Sequence, residues 1–342
     1  MHVHGNATAR FTRAAMLSVT SALPGTVTTA AHSQEQLGDV LDRLKLPRTL
    51  LERAAGVLER RAWSPGEDMH TATIDAANRA MAQANVRPDQ IDLIINTSVS
   101  RPHLEPSVAV KLHHGLGLPS SALNFDVTNA CLGFVNGMSL AASMIETGQI
   151  RHALIVAGEN ADDIHANTIA RLQQGNPGRD EFMQEFATLT LGSGASAMVM
   201  GVADDHPGSH RLLGGVTRAA TQYHELCVGS VDGMFTDAAG LLEGGLELVV
   251  SAWNEAEPEW HWSQADRFVT HQVSRAHTEA ITEAVDLDSA KVPTTYPHLG
   301  NVGPASLPIT LAAEQDSLQP GDRVVLMGVG SGLNTALMEL VW

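Results

Sequence analysis

Between Met69 and Ala84 the small apolar residues Ala72, Ala76, Ala77, Ala80 and Met81 fall at helical spacing. The apolar run Asp92-Leu-Ile-Ile-Asn-Thr97 that follows has the length of a short buried strand. The same reading gives a helix over about 106–117, a strand near 124–128, a helix over about 130–147 and a strand at 153–158. Leu132, Phe134, Val135, Met138, Leu140, Met144 and Ile145 surround most of the 130–147 helix, which predicts that it runs buried through the centre of the molecule. Alternating strands and helices imply a largely parallel sheet covered on both faces.

The chain echoes itself. Ser98-Val-Ser-Arg-Pro-His103 is answered by Gln272-Val-Ser-Arg-Ala-His277, and the same offset carries Cys131 onto Gly303-Pro-Ala-Ser306, where Pro304 marks a helix start. A second pair, Leu191-Gly-Ser-Gly-Ala-Ser-Ala197 and Val329-Gly-Ser-Gly-Leu-Asn-Thr335, recurs at a shorter offset, as an insertion over about 162–185 of the first half would cause. Two echoes in one order favour a duplication, with halves 1–204 and 205–342.

With 342 residues, 44% hydrophobic and 17% charged, the chain is long enough and apolar enough to bury a sizeable core. A net charge of -17 argues against nucleic acid and anionic membranes as partners. Arg10 and Arg13 before the mildly apolar Ala14–Ala31 loosely imitate a secretory signal, but Ser18, Thr20, Ser21, Pro24, Gly25 and Thr26 break the run, which reads better as a first strand and a turn. No window approaches the ~20 apolar residues of a membrane span. Two cysteines in unlike contexts give no disulfide framework and fit a reducing cytoplasm.

Cys131 stands at a strand-to-helix junction, where the helix dipole and free N–H groups favour a thiolate and can hold an oxyanion. Cys227 lacks such a junction and reads as a small packed hydrophobe. His271 ends the strand Arg267–Thr270, the strand end where catalytic groups gather in such sheets, although a satisfied core histidine is the ordinary reading of one His among 16. Asn301, before the helix start at Pro304, reads as turn or capping chemistry, and Glu105 as a first-turn acidic residue. Met1-His-Val-His4 and His113-His114 offer no metal-ligand spacing, so no metal site is expected. The Gly328–Gly332 run lacks the lysine and spacing of a phosphate loop.

Asp126-Val-Thr-Asn-Ala-Cys-Leu-Gly-Phe134, His271-Gln272, Gly300-Asn301 and Gly328-Val-Gly-Ser-Gly-Leu333 resemble ketoacyl synthase III and its relatives in the thiolase superfamily, over nearly the whole chain beyond about residue 35. The resemblance implies an α/β thiolase fold: duplicated βαβαβαββ halves in a layered αβαβα core. It also implies that Cys131 takes the acyl group beside His271 and Asn301, with the backbone N–H groups of Cys131 and Ser331 as oxyanion hole. Ile95-Asn-Thr-Ser-Val-Ser-Arg101, Leu104-Glu-Pro-Ser107, Asn129-Ala-Cys-Leu132, Phe134-Val-Asn-Gly-Met138, His271-Gln-Val-Ser-Arg275 and Gly300-Asn-Val-Gly-Pro-Ala-Ser306 are further similar to the head-to-head acyl-CoA condensing thiolases of long-chain olefin biosynthesis, the OleA type. Ser274, where ketoacyl synthase III commonly has Asn, and Gly303-Pro304 depart from the wider pattern.

That likeness implies a homodimer that joins two long-chain fatty acyl-CoAs without decarboxylation to a 2-alkyl-3-ketoacyl product. Glu105 would act as the base, reaching the neighbouring subunit's site, because two plain acyl thioesters require removal of an α-proton. It also implies coenzyme A as substrate carrier, no permanently bound cofactor, and downstream enzymes of the olefin pathway as possible partners. The competing readings are a decarboxylating 3-oxoacyl-[acyl carrier protein] synthase III, a hydroxymethylglutaryl-CoA synthase-like condensation, and a non-catalytic thiolase-fold subunit. Leu50-Leu-Glu-Arg-Ala-Ala-Gly56 has no Trp for the adenine, which leaves Arg53, Arg60, Arg61 and Arg218 as candidates for the nucleotide, each with surface solvation as the commoner role.

Overall fold

Ten strands join into one sheet in the computed structural model, which describes residues 6–230 and 233–342. The Met1-His-Val-His4 string lies outside the described residues. From one edge the strands run Arg267–Thr270, Arg323–Gly330, Asn334–Val341, His210–Ala219, Ala14–Ala22, Gly194–Val202, His152–Glu159, Leu93–Asn96 and Leu123–Asp126, with Ala7–Arg10 pairing His210–Ala219 off this path. The predicted strands and helices are found within about three residues of their expected ends, among them the helices Met69–Gln83 and Val108–Gly115.

The sheet is mixed rather than largely parallel. Leu93–Asn96 runs parallel to both its neighbours, and Arg267–Thr270 to Arg323–Gly330. The remaining pairings are antiparallel. The reason is local: Arg323–Gly330 returns as Asn334–Val341 through residues 331–333, and so short a link can close only an antiparallel pair, whereas a parallel one needs a crossover. Strands such as His152–Glu159 and Gly194–Val202 are buried at every position, so their apolar runs carry no alternation that would disclose direction.

The strand order repeats in the way a duplication would produce. Ala14–Ala22, Gly194–Val202, His152–Glu159 and Leu93–Asn96 follow one another outward just as His210–Ala219, Asn334–Val341, Arg323–Gly330 and Arg267–Thr270 do, with the same relative directions. Thr97 N–H donates to the Val156 carbonyl at 2.8 Å and His271 N–H to the Met327 carbonyl at 2.9 Å, so the two residues hold matching places at their strand ends. The extra segment of the first half occupies 160–193, against 331–333 in the second. It folds as helices Asp162–Gln174 and Arg179–Glu185 and a 3-10 turn at Phe186–Thr190.

Helices Gly133–Glu146 and Ser306–Glu314 share one core with strands of both halves and form the central layer. Met69–Gln83 and Val108–Gly115 cover the outer face of the first half, and Ala238–Trp260 that of the second. A separate cluster joins Leu37, Leu41 and Leu51 to Leu172, Phe182 and Leu189, packing the extra segment onto residues 30–57. Among the described residues no helix is long and apolar enough to cross a membrane.

Candidate active site

Cys131 lies in a tight turn between the strand Leu123–Asp126 and the central helix, which starts at Gly133 rather than near residue 130. Leu132 N–H donates to the Asn129 carbonyl at 3.0 Å and Gly133 N–H to the Ala130 carbonyl at 3.2 Å, while Ala130 adopts the left-handed φ of 46°. Gly133 permits this close approach, since a Cβ there would stand 3.0 Å from the Thr97 carbonyl oxygen.

Asn301 arrives from the second half. Its N–H donates to the Thr190 carbonyl and its carbonyl accepts from Gly192 N–H, both at 2.9 Å. Its Oδ1 accepts from Gly303 N–H at 3.0 Å, and its side chain stands near enough to the Cys131 thiol to favour the ionised sulfur. Side chains at Gly192 and Gly300 would overlap the Leu299 and Thr190 carbonyls, so glycine at both positions lets these segments cross.

His271 stands beside Met327 and Gly328, and a Cβ at Gly328 would be 2.6 Å from Leu132 Cδ1, which brings the imidazole's strand end to the turn that bears Cys131. The fully buried Gln272 accepts from Thr295 N–H at 2.7 Å and donates to the Thr270 carbonyl at 3.0 Å, tying the His271 strand end to the segment that leads into Asn301. Ser274 caps the helix Arg275–Ala284 and its hydroxyl lies 2.9 Å from His277 Nδ1.

The thiolate expected at the helix start is not preformed. Burial of the sulfur, then the nearby Glu159 carboxylate and Cys227, push the Cys131 thiol up to about 12, although the residue retains a half-buried opening to solvent. The site's own donors, the Cys131 N–H and the Asn301 amide, pull the other way and are outweighed. Burial, reinforced by His277, holds His271 down to about 3, so its imidazole is neutral at physiological pH, with Nδ1 buried and unpaired.

Glu159 is the residue that the sequence did not disclose. It ends the strand His152–Glu159, is buried, and accepts from Val99 N–H at 2.8 Å, Ser100 N–H at 3.0 Å and Ser100 Oγ at 2.7 Å. Desolvation lifts its carboxyl to about 7. It thereby anchors one end of the 99–107 loop. Asp126 anchors the other, accepting from Val108 and Ala109 N–H at 3.0 and 2.9 Å.

Glu105 is exposed on that loop, next to Leu104, which is 94% exposed, so within one chain it faces away from the protein's own core. Cys227, expected to be merely packed, is half-buried on a short strand with Sγ 3.8 Å from Thr236 Oγ1, within electrostatic reach of Cys131. Arg60 is buried against Asp162 at 3.2 Å and Arg218 pairs with Glu255 at 2.7 Å, while Arg53 is exposed.

The buried imidazoles give a pH dependence of stability. His271 and His165 are held to about 3 and His277 to about 4, all below the ordinary 6.5. Between pH 6.5 and about 4 the unfolded chain therefore binds more protons at these sites, and their contribution to stability is lost as pH falls through that window. Glu159 works oppositely: its folded pKa near 7 exceeds the ordinary 4.5, so its contribution is present below 4.5 and lost as pH rises toward 7. Denaturant titrations are expected to show unfolding free energy falling on acidification by about 1.4 kcal/mol per pH unit for each net proton. His165→Gln should flatten that slope by one proton's worth; an unchanged slope would contradict a neutral His165.

The family description 3-oxoacyl-[acyl-carrier-protein] synthase III matches residues 125–217, and its C-terminal counterpart matches residues 256–342. Fold and family together make the chain a condensing acyltransferase of the ketoacyl synthase III group, with the thiolase fold. The acyl-CoA:acyl-CoA alkyltransferase of Xanthomonas campestris is 42% identical over 318 residues, 92% of this chain and 94% of that protein. The Shewanella oneidensis protein of the same name is 32% identical over 349 residues, 97% of this chain and 100% of that one. A crystal structure of a cysteine-to-serine variant of Xanthomonas campestris OleA, with bound lauric acid and lauroyl-CoA, superposes with a TM-score of 0.94 at 40% identity, covering 97% of this chain and 100% of that one. The chain belongs to the acyl-CoA:acyl-CoA alkyltransferase family, the OleA enzymes.

Proposed function

We propose that this enzyme condenses two long-chain fatty acyl-CoAs head to head, without decarboxylation, through an acyl thioester on Cys131. The observation that carries the reading is the meeting of the Cys131 thiol with the Asn301 amide from the opposite half, beside the strand end that bears a neutral His271. Lauroyl-CoA bound to the Xanthomonas relative supports a long-chain acyl-CoA as substrate.

In the first step Cys131 Sγ attacks the thioester carbonyl, the bond from that carbonyl to coenzyme A sulfur breaks, and the thiol proton passes by way of His271 to the departing thiolate. The N–H groups of Cys131 and Ser331 receive the oxyanion. In the second step Glu105 of the partner subunit removes the α-proton of another acyl-CoA, whose carbonyl His271 and Asn301 polarise. The carbanion attacks the acyl carbonyl, the Cys131 thioester breaks, and the proton held by the partner's Glu105 returns to the sulfur. A 2-alkyl-3-ketoacyl-CoA results, and hydrolysis of its thioester gives the β-keto acid that a downstream olefin-pathway enzyme would take.

The homodimer is supported by the sheet edge. Leu123–Asp126 is paired on one side only, its Leu123 is 48% exposed, and the exposed Leu104 precedes Glu105. The two free thiols suit the proposed cytoplasmic setting. Incubation with a long-chain acyl-CoA as sole substrate is expected to release coenzyme A and yield a ketone after decarboxylation of the β-keto acid. A requirement for a malonyl thioester would instead select the decarboxylating synthase, and one for acetoacetyl-CoA the hydroxymethylglutaryl-CoA synthase-like reaction.

A further inference from the structure

We propose that Asn129 and Asn334 are positioning residues that hold the turns of Cys131 and Ser331, the two proposed oxyanion donors, in register. The inference rests on the acyl-Cys131 reading above and adds to it what fixes the distance between donors that come from opposite halves of the chain.

Three contacts meet there. Asn334 Nδ2 donates to Asn129 Oδ1 at 3.3 Å, across the boundary between the halves. Asn129 Nδ2 donates to Asn136 Oδ1 at 2.8 Å, fixing the same amide to the central helix. Gly330 presses its backbone on the nucleophile turn, where a Cβ would stand 2.8 Å from the Asn129 carbonyl oxygen and 3.1 Å from Leu132 N. Backbone contact alone sets how near the two turns come but leaves them free to slide. The amide bridge removes that freedom, because a hydrogen bond is directional where van der Waals contact is not.

The local backbone gives an independent reason for such a device. Ala130, between Asn129 and Cys131, has φ 46°, a conformation unfavourable for a residue with a Cβ that persists only where the surroundings over-determine it. Asn129, hydrogen-bonded through both ends of its amide, supplies that determination one residue upstream. Asn334 lies at the end of the 331–333 turn, its Nδ2 3.1 Å from the place a Cβ would take on Gly332, so its side chain folds back over the residue after Ser331. The bridge thus spans from two residues before one donor to three residues after the other.

The test compares two reactions of one thiol. Acylation by a long-chain acyl-CoA, followed as the mass of the loaded protein in a single turnover, passes through an oxyanion; alkylation by iodoacetamide occurs at a saturated carbon and develops none at the thiol's target. Asn129→Ala and Asn334→Ala are each expected to slow acylation about 10- to 100-fold, since misplacement of about an ångström or loss of one donor has effects of that order. Alkylation should stay within about twofold of wild type. The double variant should be no slower than the slower single one, because the two residues make one bridge. Asn334→Ser, a milder change, serves where an alanine variant does not fold.

Unchanged acylation, a parallel fall in alkylation, or multiplying single effects would each overturn the bridge while wild-type loading left the acyl-Cys131 reading standing. Wild-type protein that takes no acyl group would overturn both.

Discussion

Glu105→Gln is expected to leave a protein that loads one acyl chain onto Cys131 at the wild-type rate and then joins it to a second about 10³-fold more slowly. The amide keeps the shape of the side chain but cannot accept an α-proton, and general-base contributions are commonly about 10²–10⁴-fold. Single-turnover loading measured beside product formation separates the two steps. Full condensing activity in the variant would remove Glu105 as the base and favour a carbanion made by decarboxylation.

The loop's exposure adds a sharper version. If Glu105 serves the neighbouring site, a dimer of one Cys131→Ala chain and one Glu105→Gln chain contains one intact site, whereas a base acting within its own chain would leave none. Random mixing should then restore about a quarter of wild-type turnover from two inactive proteins, by the statistics of a symmetric dimer. No recovery after verified subunit exchange would place the base elsewhere.

The second large effect is Cys131→Ala, expected to abolish the acyl adduct and reduce turnover by at least about 10⁴-fold, as removal of a covalent nucleophile does elsewhere. Only a small, half-buried side chain is lost, so the denaturation midpoint should move little. Bound acyl-CoA should still raise the melting temperature, since the substrate is retained though not consumed. An adduct that persisted would shift the acyl group to another residue, with Cys227 the remaining thiol, and its absence from the wild-type protein would support a non-catalytic subunit.

Residue order marks the turns and strand ends where the expected participants stand, and the family resemblance, not residue order, supplied the roles expected of His271, Asn301 and Glu105. His271 follows the apolar run of Arg267–Thr270, Asn301 follows Gly300, and Cys131 stands between a strand and a buried helix, places that local sequence marks. What stayed hidden depends on partners distant along the chain. Glu159 looks like the polar end of an apolar strand, and its meaning lies in the N–H groups of Val99 and Ser100. The antiparallel strand returns were hidden because strands buried on both faces have no alternation to betray their direction. The protonated thiol was hidden for a related reason: helix ends are visible in sequence, but the depth at which a sulfur is desolvated is not.

That protonated thiol bears on how the enzyme survives between turnovers. Peroxide and similar oxidants attack thiolates, and the first product, a sulfenic acid, opens the route to irreversible loss. With its thiol pushed up to about 12, Cys131 presents almost no thiolate near neutral pH. The burial that makes it a reluctant nucleophile toward stray reagents therefore also limits its reaction with oxidants.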